Sequence, residues 1–215
     1  MKRILCFGDS NTWGYIPENG ERYPRNIRWT GIISERMKCY NVEILEEGLC
    51  GRTTVFEDLY RPGRNGALAL SGILSQYAAI DGAVIMLGTN DCKSCYKASA
   101  QEIGAGIEKC LDILLQRLPA DKILLLSPIY LGENVWKEEY DPEFDQHSVK
   151  VSKELKSVYE HIASEKHIRF IAASDYAYPS NADEEHFTPE GHAAIANAVW
   201  EELCKLLSDD IGLSA

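Results

Sequence analysis

Three short stretches of the chain carry side chains that could do chemistry together. GDSNTWG (8–14) presents Ser10 directly after an apolar run, between an Asp and an Asn. DEEHF (183–187) holds Asp183 and His186 three residues apart. On a tight turn that spacing sets a carboxylate against Nδ1 of the imidazole and fixes its tautomer. Nε2 is then free to take a proton from a serine. Attack by that serine on a carbonyl would build an oxyanion, which needs fixed donors. GTND (88–91) offers the side-chain amide of Asn90, EEGLCGRTT (46–54) offers the backbone N–H of Gly51, and Ser10 adds its own N–H. Each group also has a plainer reading: solvated polar residues near a helix start for Asp183 and His186, and turn or N-cap chemistry for Asn90 and Asp91. His192 competes for the role of base, but it lies inside a helical pattern with no carboxylate upstream at a useful spacing.

Other chemistries fit less well. GDSNTWG lacks the G-x-x-x-x-G-K-[ST] of a P-loop, and no G-x-G-x-x-G follows the first strand. Hydroxyls and amides in that loop could still hold the phosphate of a flavin, so a flavodoxin-like flavin- or phosphate-binding protein is the alternative from a different class. GxSxG, the nucleophile elbow of ordinary α/β-hydrolases, is absent. Asp9 is read as a loop residue that hydrogen-bonds backbone. The seven cysteines, Cys6, Cys39, Cys50, Cys92, Cys95, Cys110 and Cys204, form no framework. Cys92 and Cys95 make one C-x-x-C, half a zinc site or a redox pair at most, with no second pair to complete a ligand set. A reduced, cytoplasmic protein is the better reading.

The elements that must position these residues follow from hydrophobic periodicity. Apolar runs at 3–8, 41–47, 82–88, 122–128 and 168–174 read as strands, the third and fourth apolar on both faces. Amphipathic patterns at 29–37, 66–78, 102–118 and 149–166 read as helices, and a last helix starts at Thr188–Pro189, an N-cap followed by a proline at N1. Five strands alternating with five helices predict one parallel sheet wound on both faces by right-handed crossovers. Ligands of such sheets bind at the carboxyl ends of the strands, where Ser10, Gly51, Asn90 and the DEEHF segment all arrive. Residues 129–147 stand out as a long polar and aromatic insertion, of the kind that serves function or partner contacts.

The whole chain sets further bounds. Its 215 residues suit one α/β domain, 1–215. Its net charge of −11, with no basic cluster, argues against a nucleic-acid partner. No apolar run approaches the roughly 20 residues of a membrane span, and the apolar stretch of MKRILCFGDS ends too early for a signal peptide.

Taken together, GDSN near the start, Gly51 in its turn, GTND in mid-chain and D-x-x-H near the end resemble the four blocks of the SGNH (GDSL-type) hydrolase family, in order and over nearly the whole chain. RILCFGDSNTWGY, RWTG, EEGLCGRTT and VIMLGTND are similar to its small cytoplasmic arylesterase/acyltransferase (perhydrolase) subgroup. The resemblance implies a three-layer α/β/α, flavodoxin-like fold with Ser10 as nucleophile, Asp183 and His186 as the base pair, and Ser10, Gly51 and Asn90 around the oxyanion. It implies hydrolysis of short, acetyl-type esters through an acyl-enzyme, with acyl transfer as a second outcome and no metal or cofactor required. The expected partner is a small acyl ester, and the subgroup suggests a homo-oligomer with 129–147 as a contact. Trp13, Tyr15 and Trp29 would wall an acyl pocket or pack in the core; Arg64 and Asn65 would face the alcohol part or shape a turn. Two positions depart from the family: Asn11 replaces the usual Leu after the serine, and Gly51 stands where some subgroup members carry a slightly larger residue.

Overall fold

The computed structural model describes residues 1–77 and 79–211. Ala78, the end of the helix expected over 66–78, and residues 212–215 of the expected 1–215 domain lie outside the described residues. Five parallel strands, β1 (Lys2–Gly8), β2 (Val42–Gly48), β3 (Gly82–Met86), β4 (Ile123–Ser127) and β5 (Arg169–Ala172), form one sheet in the order β2-β1-β3-β4-β5. That is the flavodoxin-like order.

Strand alternation divides the core into two layers. Leu5, Phe7, Ile85 and Leu125 point to one face, where α3 (Gly66–Gln76), α4 (Ala100–Leu115) and α5 (Gln146–Glu165) pack. Ile4, Cys6, Val84, Met86, Leu124 and Leu126 point to the other, covered by α2 (Trp29–Met37) and α6 (Pro189–Ile211). Each fully buried side chain of this kind contributes about 1.5–3 kcal/mol against exposure. The helices start where their caps dictate: Ser99 and Glu102 close a capping box on α4, Asp145 and Ser148 one on α5, and Thr188 Oγ1 accepts from Gly191 N at the head of α6. Among the described residues no helix is long and apolar enough to cross a membrane.

The order in which strands are added reverses between β1 and β3, which opens the crevice of such sheets at their carboxyl ends. A four-residue helix, α1 (Ser10–Trp13), sits there immediately after β1. It approaches so closely that a Cβ on Gly48, the last residue of β2, would lie 2.3 Å from Trp13 N. Only glycine ends that strand without displacing the helix.

The insertion after β4, up to the α5 cap at Asp145, buries Leu131, Val135 and Phe144 against the α3–α5 layer. Its backbone also reaches the DEEHF turn. Gly132 N donates to Glu184 O at 2.8 Å and Asn134 N to Glu184 Oε2 at 2.7 Å. Glu184 has φ +59°, a left-handed conformation that costs a side-chain-bearing residue about 1–2 kcal/mol. The insertion holds the strained turn in place.

Candidate active site

Ser10 opens α1 one residue beyond the Asp9 N-cap, whose Oδ1 accepts from Asn11 N at 3.0 Å. Burial pushes the Asp9 carboxyl up to about 7. Asn11 joins this loop to the far end of the chain: its Oδ1 accepts from Phe187 N at 2.9 Å and its Nδ2 donates to Glu185 O at 3.4 Å. A leucine could make neither bond. The departure from the family motif therefore acts on the junction between the two loops.

Across that junction, Ser10 Oγ lies 2.8 Å from His186 Nε2, and His186 Nδ1 lies 2.6 Å from Asp183 Oδ2. Asp183 Oδ1 accepts from the backbone N–H groups of Glu185 and His186, each at 3.0 Å, so the carboxylate is clamped by the turn it belongs to. Tyr15 stacks on the imidazole with centroids 4.3 Å apart. A second carboxylate, Glu185, places Oε2 3.8 Å from Nδ1. Burial opposes a charge on His186. The charge of Glu185 and the hydrogen bond and charge of Asp183 outweigh it, and the imidazole pKa is raised. Burial likewise works against the Asp183 carboxylate, but its bonds to His186 and to the turn backbone hold its pKa below the ordinary value. This pair can accept a proton from the serine and stabilise the imidazolium that results.

Ser10, Gly51 and Asn90 each keep an N–H without a protein acceptor among the described residues. Among the described residues the Ser10 and Gly51 N–H groups donate to nothing. Asn90 Nδ2 donates one hydrogen to Arg52 O at 3.2 Å, which leaves its second N–H for a ligand. Gly51 takes φ +81°, which a residue with a side chain would adopt only with strain. Two buried side chains lock these turns. Asp91 accepts from Thr54 N at 2.9 and 3.0 Å and from Thr54 Oγ1, with burial lifting its pKa to about 6. Arg52 spans the ends of β1 and β2, donating to Gly8 O and Glu47 O above the ring of Phe7.

Ser10, His186, Gly51 and Asn90 line one cleft of about 180 Å³. Its other walls include Tyr15, Arg64, and four residues that sequence reasoning missed: Arg61, Lys93, Asp141 and Glu185. These come from separate loops, and only the adjacency of Glu185 to His186 was visible as a signal. Three of the expected substrate residues lie elsewhere. Trp29 is 1% exposed in the α2–α6 layer, its indole N–H donating to Asn11 O at 3.1 Å, because α2 turns that face inward. Trp13 lies outside the cleft lining under the guanidinium of Arg22. Asn65 is the N-cap of α3, accepting from Leu68 N and donating to Val55 O. Arg64 does face the cleft, held through Nε to Cys50 O at 3.0 Å.

His192 is fully buried in α6, where its Nδ1 accepts from Trp29 N at 3.3 Å and burial drives its pKa down to about 3. Cys92 is buried and Cys95 exposed. Among the described residues no group of three His, Cys, Asp or Glu is placed to hold a metal.

Residues 6–194 match the model of the GDSL-like lipase/acylhydrolase family. The chain is similar to an aryl esterase of M. smegmatis, with 32% identity and a TM-score of 0.87 over 96% of this chain and 100% of that one. It is also similar to a carbohydrate acetylesterase from Sinorhizobium meliloti, with 31% identity and a TM-score of 0.86 over 96% and 100%. A G-D-S-L family protein from Veillonella parvula, 16% identical, shares the fold with a TM-score of 0.71 over 94% and 97%. No curated protein matches. With most of its length matched, and relatives of known structure covered from end to end, the chain belongs to the GDSL-like lipase/acylhydrolase family.

Proposed function

We propose that the protein hydrolyses short-chain carboxylic esters through an acyl-enzyme on Ser10. The observation that carries this reading is the line Ser10–His186–Asp183, at 2.8 and 2.6 Å, in one small cleft that Gly51 and Asn90 also line. His186 takes the Ser10 proton as Oγ attacks the ester carbonyl. The oxyanion is met by the N–H groups of Ser10 and Gly51 and by Asn90 Nδ2. His186 then returns the proton to the departing alcohol, leaving the acyl group on Oγ. Water, deprotonated by the same imidazole, attacks the acyl-enzyme and releases the carboxylic acid and free serine; an alcohol in the place of water gives a new ester. Every proton transfer in the scheme runs through His186.

A cleft of about 180 Å³ is smaller than the ~300–1,000 Å³ pockets that enclose drug-sized ligands. Its size supports an acetyl-type acyl group, as does the similarity to a carbohydrate acetylesterase. Family membership favours ester hydrolysis over flavin or phosphate binding. The same reading takes residues 1–215 as one catalytic domain acting on small-molecule esters as a homo-oligomer, in a reducing cytoplasm that suits seven free cysteines.

The test joins a serine-directed phosphonate probe to a series of esters of rising acyl length. The expected result is covalent labelling at Ser10, lost with activity in a folded Ser10→Ala variant, and rates that fall beyond a few acyl carbons. Substantial turnover by folded Ser10→Ala would overturn the assignment. An unlabelled protein purified with flavin absorbance would favour the binding-protein alternative.

A further inference from the structure

The imidazole of His186 is held at its edges, by bonds from its two nitrogens to Ser10 Oγ and Asp183 Oδ2. Edge bonds resist a tilt out of the ring plane only weakly, and one of them ends during turnover, when Oγ carries the acyl group. What covers the face of the ring is Tyr15, with centroids 4.3 Å apart and planes 29° from parallel. The chain delivers Tyr15 there directly after the nucleophile: its N–H donates to Ser10 O at 3.1 Å. Its backbone then pairs with Arg22 in an antiparallel bridge, flanked by Ile16 N to Glu21 O at 2.8 Å and Tyr23 N to Gly14 O at 2.7 Å. Gly20, at φ +74°, brings the tip of this loop so near the phenol that a Cβ there would lie 3.2 Å from Tyr15 Oη. The tyrosine ring is thus boxed in on the imidazole.

Several charges face the same imidazole. Against the cost of burial, Glu185 and Asp183 on its own turn favour the imidazolium, with the Asp9 carboxyl at the α1 N-cap adding to them. Arg61, Arg64, Lys93 and Asp141 line the same cleft, and His192 of α6 is held neutral by burial. None of these lies against the ring face as Tyr15 does. Burial and the charges of Asp183 and Glu185 raise the pKa of the Tyr15 phenol, so it stays neutral where His186 titrates. The face of a neutral aromatic ring is electron-rich and attracts a cation within about 6 Å of its centroid.

We propose that Tyr15 is a positioning residue for His186: its ring face keeps the imidazole in line between Asp183 and Ser10 and stabilises the imidazolium that each proton transfer creates. The inference rests on the esterase reading above. It differs from a place in the wall of the acyl pocket, where Tyr15 would act on substrate fit and leave the base unchanged.

Three kinds of replacement test it. Tyr15→Leu keeps an apolar cover on the imidazole but removes the aromatic face, and Tyr15→Phe keeps that face. Phenylalanines of rising ring fluorination at position 15 keep the shape and drain the face by steps, so they read the same property without a change of packing. The measurements are pH profiles of kcat/KM and steady-state kinetics on esters of rising acyl length. Tyr15→Leu is expected to move the acid limb to lower pH by about 0.5–1 unit. Its kcat should fall about tenfold with KM little changed at every acyl length. Tyr15→Phe should return the limb to its place, and the fluorinated series should move it down stepwise. A limb that stays in place through Tyr15→Leu and the fluorinated series, or a loss carried by KM that grows with acyl length, would overturn the proposal and make Tyr15 a pocket wall. Absence of turnover and of phosphonate labelling in the unaltered enzyme would instead defeat the esterase reading, and the positioning role with it.

Discussion

His186 and His192 stand six residues apart, and their surroundings have made them opposite kinds of residue. His186 sits on a strained turn at the mouth of the cleft, with two carboxylates within 4 Å of Nδ1 and a serine on Nε2. Its charged form is favoured. His192 sits one helical turn into α6, between the rings of Tyr23 and Phe187, and is held neutral by burial. It spends Nδ1 on the backbone of α2, and its Nε2 has no partner among the described residues. The imidazole is the same in both places. Whether it moves protons or joins two helices is decided by what lies on each nitrogen.

The largest expected effects separate these two directly. His186→Ala should lose about 10⁴-fold or more in kcat, as triad members do elsewhere, with little change in melting temperature. His192→Ala should do the reverse: it removes the acceptor for a buried Trp29 N–H and opens a cavity, costing about 2–4 kcal/mol of stability, while kcat changes only a few fold. Paired thermal melts and steady-state kinetics on both variants decide the matter, and a crossed result would exchange their roles.

Asn90 extends the contrast to the oxyanion side. One of its hydrogens is structural, on Arg52 O, and the other is left for a ligand. Asn90→Ala should lower kcat by about 10²–10³-fold with KM little changed. A variant that melts earlier but keeps most of its kcat would place Asn90 with His192 as a framework residue.

The smallest effect sharpens the account of His186 itself. Only neutral His186 can accept the Ser10 proton, so kcat/KM falls as pH drops through its raised pKa. Glu185, whose own pKa burial raises, and Asp183 supply the negative charge around the ring, against the cost of burying the imidazolium. Glu185→Gln removes one of those charges, so the pKa moves down and the acid limb of the pH–rate profile moves to lower pH. The variant therefore keeps a larger share of its maximal activity in mild acid. A limb that stays in place would show that Glu185 only packs in the cleft.

Much of this arrangement was legible in the sequence because it is local. GAVIM and ILLLS read as strands buried on both faces, and the pattern of α2 matched Trp29–Met37 to the residue. The starts of α4 and α5 fall two and three residues before the expected 102 and 149, because capping boxes at Ser99 and Asp145 set them rather than the apolar stripe. D-x-x-H was visible because one turn contains both ends of the bond. The rest depends on contacts between distant segments. Arg61, Lys93 and Asp141 reach one cleft from three loops, and no local spacing encodes that. For Trp29 the choice between pocket wall and core stayed open for the related reason that closeness to Ser10 along the chain says nothing about which face of α2 it occupies. The insertion, expected to serve function or partner contacts, braces the turn that carries Asp183 and His186 through bonds no local spacing encodes.

The bond between Ser10 and His186 spans 176 residues, and Asn11 ties the same two loops together. During synthesis the nucleophile emerges before its base, which comes only after the five strands and five of the six helices of the described residues. A nascent or prematurely terminated chain therefore carries an ordinary, unreactive hydroxyl. Catalytic competence arrives only when the turn that carries His186 meets Ser10 and Asn11 of α1, so until that turn has been made the growing polypeptide is spared from acylating itself or its neighbours.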